Sequence, residues 1–457
     1  MSQAEGLAID TGLDGSAERL KRKSSSEDWR QSVAASCGNN KIVRCRGALP
    51  KVCRFCGQTV KQILIDLGMS PLANSYLSSD QLDQMEPFYP LRVYVCGDCL
   101  LVQAEEFESP ESIFFDYPYF ASYSNTWLQH AKTYADMATR RFRLRNDSLV
   151  IEIASNDGYL LQYFSANGIP VLGIEPAANV AGVAAKKGIP TMVRFFGEEA
   201  ARDLVAKGMM ADLLVGNNVL AHVVRPNDFV RGMKTVLKAG GVITMEFPHL
   251  MRLMQENQFD TIYHEHFSYF SFIVVEKIFA AHGLTLFDVE EVPTHGGSLR
   301  IYARHIEDTS KPVEQRVVNL RIRETEAGFT SLQRYLSFAD KVKATKYKLL
   351  KFLIEAKCDQ KAIVGYGAPA KGNTLLNYCG IGPDLIDYTV DRNPYKEGHF
   401  LPGTHIPIYH PDRIRETKPD YVLILPWNLK DEVMEQMHFV RDWGGRFLVP
   451  IPELKVL

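Results

Sequence analysis

Cys53-Arg-Phe-Cys56 and Cys96-Gly-Asp-Cys99 are two Cys-x-x-Cys knuckles with 39 residues between them. Four thiolates in two tight pairs can close a tetrahedral zinc site with no open coordination position, the pattern of a structural rather than a catalytic metal. A fold for this stretch must bring the two turns together, and Cys53, Cys56, Cys96 and Cys99 are the expected ligands. Each pair taken alone also suits thiol exchange, so a cytosolic redox pair is the competing assignment.

The chain after the knuckles is long enough for several cores. Its 457 residues correspond to three domains at roughly 150 residues each, and its 46% apolar and 23% charged residues are typical of a soluble globular protein. A net charge of −2 argues against nucleic acid, whose binding needs clustered Lys and Arg to displace phosphate counterions. No run of eighteen apolar residues exists and the N-terminus lacks a hydrophobic core, which disfavours membrane insertion and secretion. The expectation is a cytoplasmic monomer with Cys37, Cys45, Cys358 and Cys379 as free thiols.

Residues 1–48 are rich in Ser, Gly, Ala and charge with no apolar period, so burial does not offset ordering entropy and a disordered extension is expected. A zinc-binding domain is expected over 49–115, with Arg92–Cys96 as a strand entering a zinc turn. Helical spacing of Trp127, Leu128, Tyr134 and Met137 opens a second domain, 116–310. There Leu149–Ile153, Val171–Ile174, Asp212–Gly216 and Gly241–Met245 alternate with helical stretches, implying a parallel sheet covered on both faces. A charged helical stretch from Pro312 to Lys357 leads through the third domain, 311–457, to strands expected at Lys361–Val364, Ile386–Val390 and Tyr421–Leu425.

Two strand-to-helix turns carry ligand-binding chemistry. Glu152-Ile-Ala-Ser-Asn-Asp-Gly158 falls at the carboxyl edge where open parallel sheets bind ligands. Glu152, Ala154, Ser155, Asn156 and Gly158 are its candidates. Glu175, ending the next strand, is placed to accept from ribose hydroxyls, and Asn217 and Asn218 cover the site with amides. An adenosine pocket is implied, with an ordinary turn as the alternative. The second turn, Gly365-Tyr-Gly-Ala-Pro-Ala-Lys371, matches Gly-x-Gly-x-x-Ala, and Asp391 ends the next strand candidate 24 residues after Gly367. Gly367, the helix N-terminus and Lys371 make it a phosphate site for NAD or a nucleotide-sugar, or a degenerate structural turn.

Phe259-Asp-Thr-Ile-Tyr-His-Glu-His-Phe-Ser-Tyr269 concentrates phenols, imidazoles and a carboxylate. In an extended chain His264 and His266 face one side and Tyr263 and Glu265 the other, so all four line one wall only across a bend. A His-x-His pair also suits a metal, but no second ligand cluster accompanies it. Acid–base work is the more economical reading: an imidazole accepts a proton near neutrality, a carboxylate orients it, and phenols donate to a developing oxyanion. His222, Tyr117 and Tyr119 extend this set, the alternatives being a satisfied loop histidine and an interdomain packing segment. In His295-Gly-Gly-Ser-Leu-Arg300, His295, Ser298 and Arg300 are substrate-binding candidates, and for Arg300 a structural ion pair is equally open.

The knuckles, Asp116-Tyr-Pro-Tyr119, Ile153-Ala-Ser-Asn-Asp-Gly158, Asn218-Val-Leu-Ala-His222, Tyr263-His-Glu-His266, His295-Gly-Gly-Ser298 and Gly365-Tyr-Gly-Ala-Pro-Ala-Lys371 occur in one order. In that order, over nearly everything after residue 50, the chain resembles the sugar C-methyltransferase family. Ala154 and Asn156 stand where many class I methyltransferases carry glycine, and the N-terminal extension lies outside the pattern. The resemblance implies an α/β fold: a small N-terminal zinc-binding domain, a central class I S-adenosylmethionine methyltransferase domain and a C-terminal Rossmann-like domain that binds nucleotide-sugar without NAD. It implies methylation of a carbon beside the ketone of a nucleotide-linked 4-keto-6-deoxyhexose. His266 is the expected base, Glu265 orients it, and Tyr263 with Tyr117 or Tyr119 serves the enolate oxygen. The rivals are an NAD-dependent nucleotide-sugar oxidoreductase or epimerase and a non-catalytic zinc-ribbon adaptor.

Overall fold

The computed structural model of the chain describes residues 51–114 and 120–457. The extension expected over 1–48, with Cys37 and Cys45, and the tyrosines Tyr117 and Tyr119 lie outside those residues.

The knuckles sit on a four-stranded antiparallel sheet in the order β1-β2-β3-β9, with β1 Gln62–Ser70, β2 Tyr89–Val95, β3 Val102–Ala104 and β9 Ser268–Tyr269. Strand β2 is central and alternates: Leu91, Val93 and Val95 are buried, while Arg92 pairs across the sheet with Asp66. Both knuckles are closed by the same backbone pattern. Gly57 N–H donates to Cys53 O at 3.0 Å and Leu100 N–H to Cys96 O at 3.1 Å. Each turn ends in a left-handed residue, Gly57 and the non-glycine Leu100, a strained choice that a metal-ordered turn over-determines.

The largest sheet has the order β10-β11-β8-β7-β4-β5-β6: β4 Val150–Ile153, β5 Val171–Ile174, β6 Thr191–Met192, β7 Ala211–Asn217, β8 Leu237–Pro248, β10 Leu284–Val292 and β11 Ser298–His305. Strands β6, β5, β4, β7 and β8 are parallel, but β11 runs antiparallel to both its neighbours. The four strands expected from the alternating pattern are parallel as expected, and β10 and β11, which that pattern did not include, extend the sheet with one antiparallel member. Only residues 293–297 join β10 to β11, and a connection that short can return only antiparallel. The return places the His295-Gly296-Gly297 turn at the carboxyl edge of the sheet. His295, Gly296 and Gly297 all have positive φ.

The third sheet has the order β14-β13-β12-β15-β16-β17: β12 Ile363–Tyr366, β13 Thr389–Val390, β14 Ile408–Tyr409, β15 Tyr421–Ile424, β16 Arg446–Val449 and β17 Lys455–Val456, the last antiparallel. The charged stretch before it is three helices, Gln315–Glu326, Leu332–Leu336 and Phe338–Cys358. Both α/β sheets reverse their winding beside the first strand, between β4 and β7 and between β12 and β15. These are the switch points where open α/β sheets form ligand crevices. Among the described residues no helix is long and apolar enough to cross a membrane.

Candidate active site

The four knuckle sulfurs converge, all within 4.8 Å of one another. Cys53 and Cys99, like Cys56 and Cys96, lie 3.5 Å apart, close to the roughly 3.8 Å edge of a tetrahedron with zinc–sulfur bonds of about 2.3 Å. The donor set fits a closed structural zinc site. Cys379 is a buried free thiol and Cys358 an exposed one.

At the first switch point, the turn after β4 passes through left-handed Ala154, Asn156 and Gly158. A Cβ on Gly173 would lie 2.4 Å from Ser155 Oγ, so that glycine in β5 is what lets Ser155 tuck beneath the loop. Glu175 folds back on the turn, its carboxylate accepting from Asn156 N–H at 3.0 Å and Ala177 N–H at 2.9 Å. Both oxygens of Glu152, Ser155 Oγ, Asp157 Oδ1 and, at the end of β7, Asn218 Oδ1 are buried without a well-formed hydrogen bond, although the Tyr159 phenol lies beside Glu152. Burial holds Glu152 well above the usual carboxylate range. Such a concentration of unsatisfied polar atoms, each costing about 1–3 kcal/mol, is what a polar ligand relieves, and it fits S-adenosylmethionine. Asn217 instead donates to the Tyr159 hydroxyl at 3.2 Å.

At the second switch point the turn is closed. Gly367 N–H donates to Val390 O at 2.6 Å, Ala368 N–H to Asp391 Oδ2 at 2.7 Å, and Ala368 O accepts from Tyr76 at 2.5 Å and Lys396 at 2.8 Å. Pro426 fills the crevice so tightly that a Cβ on Gly367 would meet its ring at 2.6 Å. Gly367 therefore offers no amide to a phosphate. Pro369 is the N-cap of helix Ala370–Cys379, and Lys371, half-buried in its first turn, lies over the Trp427 ring and bonds Asn428 at 3.1 Å. Burial lowers the Lys371 pKa, opposed by Asp260.

Between these turns runs the segment 259–269, anchored from three sides. Trp427 Nε1 donates to Asp260 at 2.6 Å and Thr374 Oγ1 to Ile262 O at 2.9 Å. Its last residues are strand β9, paired with β3 of the cysteine module, and Arg54 beside Cys53 donates to Phe267 O at 2.8 Å. The chain bends, with His266 N–H donating to Tyr263 O at 2.9 Å, and the bend lays the His266 ring on Tyr263 with centroids 4.0 Å apart. His222 completes the wall, 4.8 Å from His266 between centroids.

The expected orientation of His266 by Glu265 is not what forms. His266 Nδ1–H donates to Thr261 O at 2.8 Å and His222 Nδ1–H to the Glu265 backbone carbonyl at 2.8 Å. A carbonyl only accepts, so both neutral rings carry their proton on Nδ1 and keep a lone pair on Nε2. Burial lowers His222 to about 4; burial, aided by His222, holds His266 well below the ordinary value. The Glu265 side chain turns away to Asn74, 2.6 Å from its Nδ2, and burial pushes it up to about 7. His264 points into the cysteine module against Tyr89 and Phe107.

His295 meets Trp127 edge-on at 5.3 Å, and burial, then Lys371, lowers it to about 4. Ser298 donates to Thr294 O at 3.0 Å and is buried. Of the two alternatives for Arg300 the structural ion pair is the one found: it bonds Glu246 at 2.8 Å, and Glu246 also accepts from Thr294 at 2.7 Å and meets His130 at 2.9 Å. Sequence reading missed the partners Glu246, Thr294 and His130 of this cluster, and also Thr261 and Asn74. The cluster partners and Thr261 lacked any motif spacing, and Asn74 lies in a short polar loop, Leu72-Ala-Asn-Ser-Tyr76, that carries no motif of its own. An open groove of about 810 Å³ runs past Gly296, Trp427, Asn428 and Lys430.

Three family models match in succession: a zinc binding domain over residues 53–114, a methyltransferase domain over 127–289, and the C-methyltransferase C-terminal domain over 293–452. The C-methyltransferase NovU of Streptomyces niveus is 34% identical over 405 residues, spanning 89% of this chain and 96% of NovU. Among solved structures, an S-adenosylmethionine-dependent methyltransferase from Clostridium acetobutylicum covers 39% of this chain and 92% of its own, at 10% identity and a TM-score of 0.31. The magnesium protoporphyrin IX methyltransferase of Synechocystis PCC 6803 with bound SAM covers 42% and 88%, at 14% identity and 0.30.

Proposed function

The chain belongs to the C-methyltransferase family, and from that membership we propose that this S-adenosylmethionine-dependent enzyme methylates a carbon beside the ketone of a nucleotide-linked 4-keto-6-deoxyhexose. The observation that carries the reading is the His266 Nδ1–Thr261 O bond, which leaves Nε2 as a fixed acceptor in a half-buried wall. His222 in that wall lies four positions after Asn218 of the cofactor set, so proton acceptor and methyl donor sites adjoin.

S-adenosylmethionine, when bound, supplies a methyl group on a positively charged sulfur that a carbanion-like carbon displaces. Glu152, Ser155, Asn156, Gly158, Glu175 and Asn218 are the residues assigned to hold it. His266 Nε2 takes the proton from the carbon next to the ketone, and the C–H electrons move into an enolate whose oxygen gains the charge. The Tyr263 phenol, with Tyr117 or Tyr119, donates to that oxygen. A low imidazole pKa keeps His266 neutral at pH 7, ready to accept without first losing a proton, at some loss of basicity. His295 and Lys371 face the sugar, and the groove beside Trp427 is the candidate berth for the nucleotide. The closed Gly367 turn supports a role for the third sheet without NAD.

His266→Asn lowers kcat on the order of 10³-fold with S-adenosylmethionine affinity within twofold of wild type. The readout is mass spectrometry of methylated product from TDP- and GDP-linked 4-keto-6-deoxyhexoses. Wild-type turnover in that variant removes His266 as the base.

A further inference from the structure

We propose that Asn74, supplied by the zinc module, is a positioning residue for the methyl transfer: its side-chain amide fixes the Glu265 carboxyl behind the His222–His266 wall. This inference rests on the reading that proton abstraction occurs at the Tyr263–His266 turn.

Glu265 serves the wall twice. Its backbone carbonyl orients His222, while its carboxyl, only 4% exposed, receives Asn74 Nδ2 at 2.6 Å. A displacement of the carboxyl would move the turn that also sets the ring of His266. Asn74 is held as firmly as what it holds. The preceding Ala73 O accepts from Asn373 at 2.6 Å, Tyr76 reaches Ala368 O at 2.5 Å, and Leu77 pairs in both directions with Phe400 at 3.1 and 2.8 Å. Three anchors within five residues of loop exceed what a chance surface contact needs. They tie a loop of the first sheet to the helix and turns of the third, with the Glu265 carboxyl between them.

Burial raises the Glu265 carboxyl and the Asn74 bond opposes that rise. The titratable and charged groups around this position are His222 and His266 on the wall, Tyr76 on the Asn74 loop, and Lys396 and Asp391 beyond Tyr76. An amide that donates to a carboxylate stabilises the charged form, so removing it raises the titration midpoint. A merely structural Asn74 would change melting temperature and leave kcat untouched.

The test uses the full chain with zinc bound, as wild type, Asn74→Ala and the near-isosteric Asn74→Asp. Glu265 is titrated through its infrared carboxyl band, assigned by its loss in Glu265→Gln. The expected result is an upward shift of the midpoint by about one unit or more in Asn74→Ala and further in Asn74→Asp, where two carboxyls share the site. With TDP-4-keto-6-deoxyglucose as probe, kcat falls about 10–100-fold, the scale of a small misplacement of reacting groups, while S-adenosylmethionine affinity stays within twofold. An unmoved carboxyl band in both variants overturns the inference, as does a kcat unchanged while only melting temperature falls. If wild type methylates no keto-sugar nucleotide, the substrate reading has failed instead, and the infrared titration alone still decides whether Asn74 sets Glu265.

Discussion

The two switch points are built alike and left in opposite states. Each has a strand, a turn through a left-handed residue, and an acidic side chain from the next strand folded back onto the turn's amides: Glu175 on Asn156, Asp391 on Ala368. At the first, Glu152, Ser155, Asp157 and Asn218 retain buried atoms without partners. At the second, Pro426 occupies the crevice, and Tyr76, Lys396 and Thr389 satisfy the turn's carbonyls. Glycine spacing alone therefore does not tell a ligand turn from a structural one. What separates them is the polar capacity left over once the protein has bonded to itself.

Parallel substitutions put this contrast under the greatest strain. Glu175→Ala weakens S-adenosylmethionine binding about 100-fold, the loss of two charge-assisted hydrogen bonds at roughly 1.5–3 kcal/mol each, partly relaxed. Asp391→Ala leaves that affinity unchanged and costs about 2 kcal/mol of stability. Calorimetry and urea denaturation separate the two, and a matching affinity loss at Asp391 would erase the distinction.

A smaller effect comes from protonation. Burial holds the Glu152 pKa well above the ordinary carboxylate value, so the empty site binds a proton there that a cationic ligand expels. Affinity then rises with pH below the raised pKa, by at most about tenfold per unit, and levels off above it. Calorimetry in buffers of different ionisation enthalpy should register up to one proton released, and none in Glu152→Gln. Affinity that falls as pH rises contradicts this assignment.

The smallest change sharpens the same boundary. Ser155→Ala removes one unsatisfied hydroxyl: stability is unchanged or slightly improved, and S-adenosylmethionine binds about three- to tenfold more weakly. A pure stability gain with unaltered affinity would mean that Ser155 faces no ligand.

What could be read from sequence was what local chemistry decides. The knuckles fix their own turns, and the apolar runs of β4, β5 and β7 announce a buried sheet within a few residues of their observed ends. Ile386–Val390 shrank to the two residues of β13 because Ile386 N–H is drawn into a turn with Gly382 O. The reversal of β11 was hidden because the strand itself carries no mark of direction; only the shortness of the His295 turn does. Asn74 and Glu265 are 191 positions apart, and no spacing rule reaches that far. Thr261 escaped notice because it acts through its carbonyl, which every residue possesses.

Strand β9 leaves the turn proposed to carry the base and enters the sheet that carries the zinc knuckles, with Arg54 clasping the junction. On that proposal a chelator is expected to inhibit without visiting the cleft. Withdrawing the ion is expected to slacken the bend holding Tyr263 against His266, with the methyl-donor pocket on another sheet still filling. On the proposed mechanism metal supply would throttle turnover rather than cofactor uptake, and trimming this enzyme to its methyltransferase sheet would leave a protein that loads its donor and cannot use it.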